Sequence, residues 1–290
     1  MRDSEPLIIN LAPTGMVPTK DITPHVPISV DEILEDVARC KELGASIVHV
    51  HPRDQNGVPT HRSDHFAPII EGIREIDPDL VVCATCSGRR AGSMKQRAEV
   101  LDLKGDAKPD MASLTLGSNN FHRQASINPP DVIEALAQRM KLRRIKPELE
   151  VFEPGMVQFG SYLARKGLID EPCYVNILVG NVATSPLSPG SLAAFLSLVP
   201  EAWTWALAGI GRDQLDANLM AIAAGGHVRV GLEDNIWWDR GRTRTATNAE
   251  LVARVTEVAE LTERPIASPT FVRERLHMPR SPRVASAERV

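Results

Sequence analysis

From end to end the chain alternates short aliphatic runs with longer amphipathic ones. Eight runs have strand length: 7–11, 46–51, 80–85, 111–116, 148–152, 174–179, 204–208 and 227–232. The stretches between them carry helix-end signals. Ser29 precedes a run that ends at Leu43-Gly44, with the glycine placed as a C-cap. Pro129-Pro130-Asp131 opens the helix before the fifth strand, Ser188-Pro189 the one before the seventh, and Asn248 precedes 249–261. Eight β-α alternations with short connections predict a (β/α)8 TIM barrel, an α/β fold with a closed parallel sheet. The competing arrangement is a doubly wound open sheet. It is disfavoured because Ala12-Pro13-Thr14-Gly15, after the first strand, is not a Gly-rich dinucleotide turn.

Composition agrees and removes some function classes. Aromatic residues make up only 4%, so the core bulk is aliphatic, as parallel strands buried on both faces require. A net charge of −4 gives no basic footprint for nucleic acid or an anionic membrane. No apolar run approaches the roughly 20 residues of a membrane span, and the acidic Met1-Arg2-Asp3-Ser4-Glu5 start is unlike a signal peptide. Four cysteines, with one Cys83-x-x-Cys86 pair, suit a reducing cytoplasm better than a disulfide scaffold. That pair straddles a strand end without a partner motif, which weighs against a redox or structural zinc role. Residues 1–278 are expected to form one catalytic domain. The Arg/Ser/Pro-rich 279–290 is expected to be a tail or a subunit-contact arm.

A parallel barrel builds its chemistry where strands end. The second strand ends Val48-His49-Val50-His51-Pro52-Arg53-Asp54. Alternate strand residues share a face, so His49 and His51 point the same way and form a candidate metal site. The eighth ends Arg229-Val230-Gly231-Leu232-Glu233-Asp234-Asn235. Strands two and eight flank strand one in a closed barrel, so Glu233 can complete a two-histidine, one-carboxylate set. Arg229 needs a carboxylate partner, and Asp234 is the candidate. The bland reading of these acids is a solvated loop. Thr85 and Gly88 after the third strand, and Ser113 and Thr115 on the fourth, could grip a carboxylate or carbonyl oxygen, or could serve only turns and caps. Gly209-Ile210-Gly211-Arg212 permits the close backbone approach that a phosphate or thioester tail needs.

Taken in order, Thr14-Gly15, Pro24-His25-x-Pro27, His49-Val50-His51-Pro52-Arg53-Asp54, Gly117-Ser118-x-Asn120-Phe121, Pro147-Glu148-Leu149-Glu150-Val151-Phe152-Glu153, Trp205-x-x-Ala208-Gly209-Ile210-Gly211-Arg212 and Gly225-Gly226-His227-Val228-Arg229 through Asn235 resemble the β-keto acid cleavage enzyme family. The resemblance implies a zinc-dependent barrel, one ion per chain, that is usually a tetramer. It implies that a β-keto acid and acetyl-CoA give acetoacetate and a new acyl-CoA. It makes His49, His51 and Glu233 the ligands and Asp234 the base, oriented by Arg229. Thr85, Ser113 and Thr115, with Gly88 nearby, stand where the family holds the substrate's carboxylate end.

Three departures put the substrate in question. Val17 stands where the 3-keto-5-aminohexanoate type has a glutamate for the substrate's amine. The third strand runs into Thr85-Cys86-Ser87-Gly88-Arg89-Arg90, and the sixth ends Leu178-Val179-Gly180-Asn181. Val17 points to a neutral or anionic β-keto acid, and Arg89 and Arg90 to a second carboxylate on it; alternatively both arginines are solvated or contact CoA phosphates. Two other readings stay open: a metal-dependent barrel hydrolase, and a non-catalytic metal- or ligand-binding barrel.

Overall fold

The structure is a computed structural model that describes residues 5–89 and 93–279. Eight parallel strands close into a barrel: β1 (Ile9–Leu11), β2 (Ile47–Val50), β3 (Val81–Ala84), β4 (Met111–Thr115), β5 (Lys146–Val151), β6 (Tyr174–Val179), β7 (Thr204–Gly209) and β8 (His227–Val230). Each pairs with its sequence neighbours, and β1 closes the ring between β2 and β8. The helical signals are where the sequence puts them. Ser29 makes a capping box with Glu32 at the start of Val30–Glu42, and Gly44 follows that helix at φ +110°. Ser188 caps Pro189–Leu196, and Pro129 precedes Pro130–Arg143. Thr247, not Asn248, caps Asn248–Leu261.

Strand limits shift by one or two residues, for local reasons. β2 stops at Val50, before His51, because the next residue, Pro52, offers no N–H to the ladder. β5 begins earlier than its sequence suggests and contains Pro147. Lys146 donates its N–H to Asp110 on the β4 side, so the next N–H would point towards β6. Pairing with β6 begins only at Glu148, one residue later, so nothing is lost by having proline there. Between β3 and β4 the expected helix is reduced to one turn, Met94–Arg97, and two 3-10 segments, with Gly105 at φ +60° breaking the run. A small hairpin, Asn119–Asn120 with Ala125–Ser126, follows β4.

Residues inside the barrel form layers of opposite character. At the N-terminal end Ile8, Ile47, Val81, Met111, Tyr174 and Ala206 make an apolar floor, and Ala267, Val272 and Leu276 of the last segment pack into the same cluster and seal it. One strand repeat higher the filling turns polar, with Asn10, His49, Glu148, Asn176 and Arg229 all buried. Aliphatic cores usually fill this position in parallel barrels, and buried charge is tolerated only when paired. The polar layer therefore marks the base of a site that opens at the C-terminal mouth. No helix among the described residues is long and apolar enough to cross a membrane.

Candidate metal centre and active site

His49 and His51 rise from β2 on one face, and Glu233 descends from the segment after β8. The His49 and His51 Nε2 atoms are 3.1 Å apart, and His51 Nε2 is 3.1 Å from Glu233 Oε1. Ligands sharing one ion at about 2.0–2.1 Å stand roughly 3.3 Å apart in a tetrahedral set, which these spacings approach. The other Glu233 oxygen is buried with no hydrogen-bond partner among the described residues, an arrangement that costs energy unless a cation or donor answers it. Glu233 has this position because Gly15 stands against it. Gly15 has φ +64°, and a Cβ there would meet Glu233 Cγ at 2.5 Å. Arg53, two residues past His51, donates to the Gly15 carbonyl at 2.7 and 3.2 Å and fixes that loop.

Beneath the histidines lies a residue whose role the sequence reading did not assign. Glu148 is fully buried, and four donors fill its carboxylate. Asn10 and Asn176 donate to Oε1 at 2.7 and 3.2 Å, while His49 Nδ1 and the Cys83 thiol donate to Oε2 at 2.6 and 3.2 Å. Burial pushes the Glu148 carboxyl up, but the His49 and Arg229 charges outweigh it and hold the pKa at about 2. A carboxylate only accepts, so His49 carries a proton on Nδ1. Burial lowers the His49 pKa but Glu148 outweighs it and raises it, and in the neutral ring that a cation would select the Nε2 lone pair faces His51. This is the carboxylate–histidine pairing that orients metal ligands. His49, Cys83 and Glu148 also lie close enough to hold an ion themselves. Four donors already occupy the Glu148 oxygens, so that second set reads as hydrogen bonding. Burial lowers His51 to about 4, so its ring is neutral and able to ligate at ordinary pH.

Arg229 sits at the centre of three carboxylates. Its Nε donates to Asp234 Oδ2 at 2.8 Å and its Nη2 to Asp234 Oδ1 at 3.3 Å. Glu233 Oε1 is 2.9 Å away, and Glu150 Oε1 lies at 3.7 Å. Burial raises the Asp234 carboxyl, opposed by Arg229, and the Glu233 charge adds to the rise. A carboxylate whose pKa climbs from its usual range becomes a better proton acceptor near neutral pH.

The expected substrate grips are engaged as follows. The Thr85 hydroxyl accepts from Ser87 N–H and that of Ser113 from Cys86 N–H, and among the described residues neither hydroxyl donates. Thr115 donates its own to Glu150 Oε2 at 2.6 Å. Gly88 packs too tightly for a side chain, since a Cβ would come within 2.7 Å of the Ile127 carbonyl oxygen. Val17 is 60% exposed on the strand-one loop. Arg89 lays its guanidinium over the Phe121 ring at 3.4 Å, and Arg90 and 280–290 lie outside the described residues. His227 accepts from Ile8 N–H at 3.0 Å on the barrel floor, a structural role. Glu148 and Glu150 could have been suspected as acids alternating with Leu149 and Val151, but their partners come from other strands.

The family model for beta-keto acid cleavage enzyme matches residues 6–278. The 3-oxoadipate:acetyl-CoA acetyltransferase of Cupriavidus necator is 38% identical, the match covering 95% of this chain and 96% of that one. A 3-keto-5-aminohexanoate cleavage enzyme of Fusobacterium nucleatum subsp. nucleatum is 34% identical, over 94% and 98%. Among solved structures, apo ObcA has the same fold with TM-score 0.75 at 20% identity, covering 88% of this chain and 66% of that longer one. The chain belongs to the β-keto acid cleavage enzyme family.

Proposed function

We propose that the protein cleaves a β-keto acid with acetyl-CoA, giving acetoacetate and a new acyl-CoA, at a centre built from His49, His51, Glu233, Asp234 and Arg229. The observation that carries this reading is the convergence of two imidazole nitrogens and one carboxylate oxygen beside a buried, arginine-held aspartate at the barrel mouth. His49, His51 and Glu233 would hold one divalent ion per chain, zinc by the character of the donors. Such an ion supplies Lewis acidity to the keto oxygen and lowers the cost of negative charge at C2.

The chain's own groups do the rest. Asp234, aimed by both arms of the Arg229 contact, takes the C2 proton. The C2 carbanion forms a bond to the acetyl carbonyl and expels CoA thiolate. The thiolate adds to the C3 carbonyl, the C2–C3 bond breaks, and the electron pair leaves with acetoacetate, which recovers its proton from Asp234. Arg229 keeps Asp234 in place and stabilises it as the carboxylate once the proton is returned. Thr85 and Ser113, whose hydroxyls donate to none of the described residues, suit the substrate's C1 carboxylate. Thr115 acts through Glu150.

The substrate is best read as a neutral or anionic β-keto acid, with a second carboxylate favoured. Val17 offers no charge to an ammonium group, and the 38%-identical relative is named for 3-oxoadipate. We further propose a cytoplasmic homo-oligomer, a tetramer by family resemblance, with 1–278 as one catalytic domain. Competition among 3-oxoadipate, an uncharged 3-ketoacid and 3-keto-5-aminohexanoate tests the reading through kcat/KM. The dicarboxylic or neutral acid is expected to win, and Val17→Glu to move the preference towards the amine. An aminated acid preferred by the unaltered enzyme overturns the role given to Val17.

A further inference from the structure

Beside the catalytic aspartate, on the outer side of the mouth, is a pocket of about 110 Å³ lined by four arginines, Arg212, Arg240, Arg242 and Arg254, against one acid, Asp239. Two indoles, Trp237 and Trp238, form its walls. Asn235, next to Asp234, also lines it, and Gly211 N–H donates to the Asp234 carbonyl at 2.7 Å. The arginine-bearing loops are thus fastened to the segment that carries the base.

We propose that this pocket anchors a phosphate at the nucleotide end of the acyl carrier, and so selects acetyl-CoA over shorter acetyl thioesters; the inference rests on acetyl-CoA being the co-substrate. The four arginines are not equivalent. Arg254 is committed, stacking on Trp238 at 4.3 Å and donating to its carbonyl oxygen at 2.9 Å. Arg240 pairs with Asp216 at 2.5 Å, while 73% of its side chain remains exposed. Arg212 has only a loose 3.6 Å contact with Asp213 and is 78% exposed. Arg242 has no carboxylate partner among the described residues and sits at φ +57°, a conformation that a long side chain adopts at a cost. The turn that holds it there is built for the purpose. Asp239 accepts from Thr243 N–H and Arg244 N–H, so the backbone fixes its carboxylate, and among the described residues no ion pair joins it to Arg242; four guanidinium groups face one carboxylate in the lining.

A guanidinium group beside flat aromatic surface is the chemistry that binds a nucleotide phosphate. The volume suits a phosphate group and not a whole nucleotide, so base and ribose would lie outside it; Trp238 is already covered by Arg244 and Arg254, at 4.8 and 4.3 Å, which leaves Trp237 as the indole to meet them. Loops after the seventh and eighth strands are also where parallel barrels commonly hold phosphate.

The test uses the full-length enzyme and the double variant Arg212→Ala/Arg242→Ala, neither residue belonging to the catalytic centre. Kinetics with acetyl-CoA are compared with kinetics on S-acetylpantetheine, which has the same thioester and no nucleotide. The variant should lose about 10- to 100-fold in kcat/KM for acetyl-CoA, the worth of one or two charge-assisted contacts, and keep its rate on S-acetylpantetheine. An equal loss on both thioesters, or no loss on either, overturns the proposal. Calorimetric titration with CoA and with ADP gives a readout free of turnover. CoA binding weakened in the variant and by added salt supports the anchor. Binding of ADP that depends on these arginines, with CoA binding unchanged, makes the pocket a free-nucleotide site and overturns it. Tight, arginine-dependent CoA binding without acetoacetate formation leaves the anchor standing and sinks the proposed reaction instead.

Discussion

Replacing Glu148 by glutamine changes one oxygen to NH2 and nothing in volume, yet it disturbs the centre whichever way the amide turns. With the amide nitrogen towards His49, Nδ1 must accept, the proton moves to Nε2, and the lone pair a metal needs is gone. With the amide oxygen towards His49, the NH2 faces the Asn10 and Asn176 NH2 groups, now 2.7 and 3.2 Å from another donor. A buried donor left without an acceptor costs about 1–3 kcal/mol. Loss of such a supporting carboxylate typically weakens metal binding about 10- to 100-fold, or roughly 1.4–2.7 kcal/mol. The assay is competition for zinc between the metal-stripped protein and a chromogenic chelator, with far-ultraviolet circular dichroism to confirm the fold. Glu148→Gln should show the weaker affinity at unchanged secondary structure, with Glu148→Asp intermediate or worse because the shorter arm cannot reach His49. A folded Glu148→Gln protein with the affinity of the unaltered enzyme would refute the claim that Glu148 sets the His49 tautomer.

Three further outcomes are expected. Asp234→Asn should retain its metal, by elemental analysis, and lose about 10²- to 10⁴-fold in turnover; near-normal turnover would move the base elsewhere. Gly15→Ala should shift Glu233 and destabilise the fold by at least about 1 kcal/mol through its positive φ, read as lower zinc affinity and a lower Tm; a well-bound ion and unchanged Tm would contradict the packing described. Burial, with Arg264 and Arg275 nearby, holds His227 neutral down to about 3, against an ordinary 6.5. Below 6.5 the unfolded chain therefore takes up a proton that the folded one refuses. Its contribution is intact above that pH and falls towards 3, by roughly 2 kcal/mol between pH 7 and pH 5. Denaturant melts should show this slope reduced in His227→Gln, and an unchanged slope would exclude His227 as its source.

The parts of the site legible in the sequence are those whose geometry follows from a local period or from ring order. His49 and His51 share a face because strand residues alternate. Glu233 reaches them because strand eight borders strand one, which borders strand two. Arg229 and Asp234 lie five apart across one strand end, and their pairing follows from the cost of a buried lone charge. The role of Glu148 is not legible in the sequence for the opposite reason. Its partners come from β1, β2, β3 and β6, and only the register of the whole barrel brings those four donors to one carboxylate. Thr115 shows a similar limit: its hydroxyl looked available for substrate until the fold set Glu150 beside it. The arginine pocket was hidden because its residues come from loops, where neither the strand period nor the helix period applies, although Gly211-Arg212 had already marked one wall.

The central claim is best tested by following acetoacetate formed from acetyl-CoA and 3-oxoadipate before chelation, after removal of metal, and after one equivalent of zinc is returned. The account predicts that activity disappears with the ion and returns with it in the unaltered enzyme, while His49→Ala neither retains zinc nor recovers. Undiminished acetoacetate formation by the metal-free protein, or a full equivalent of tightly held zinc in His49→Ala, would contradict it.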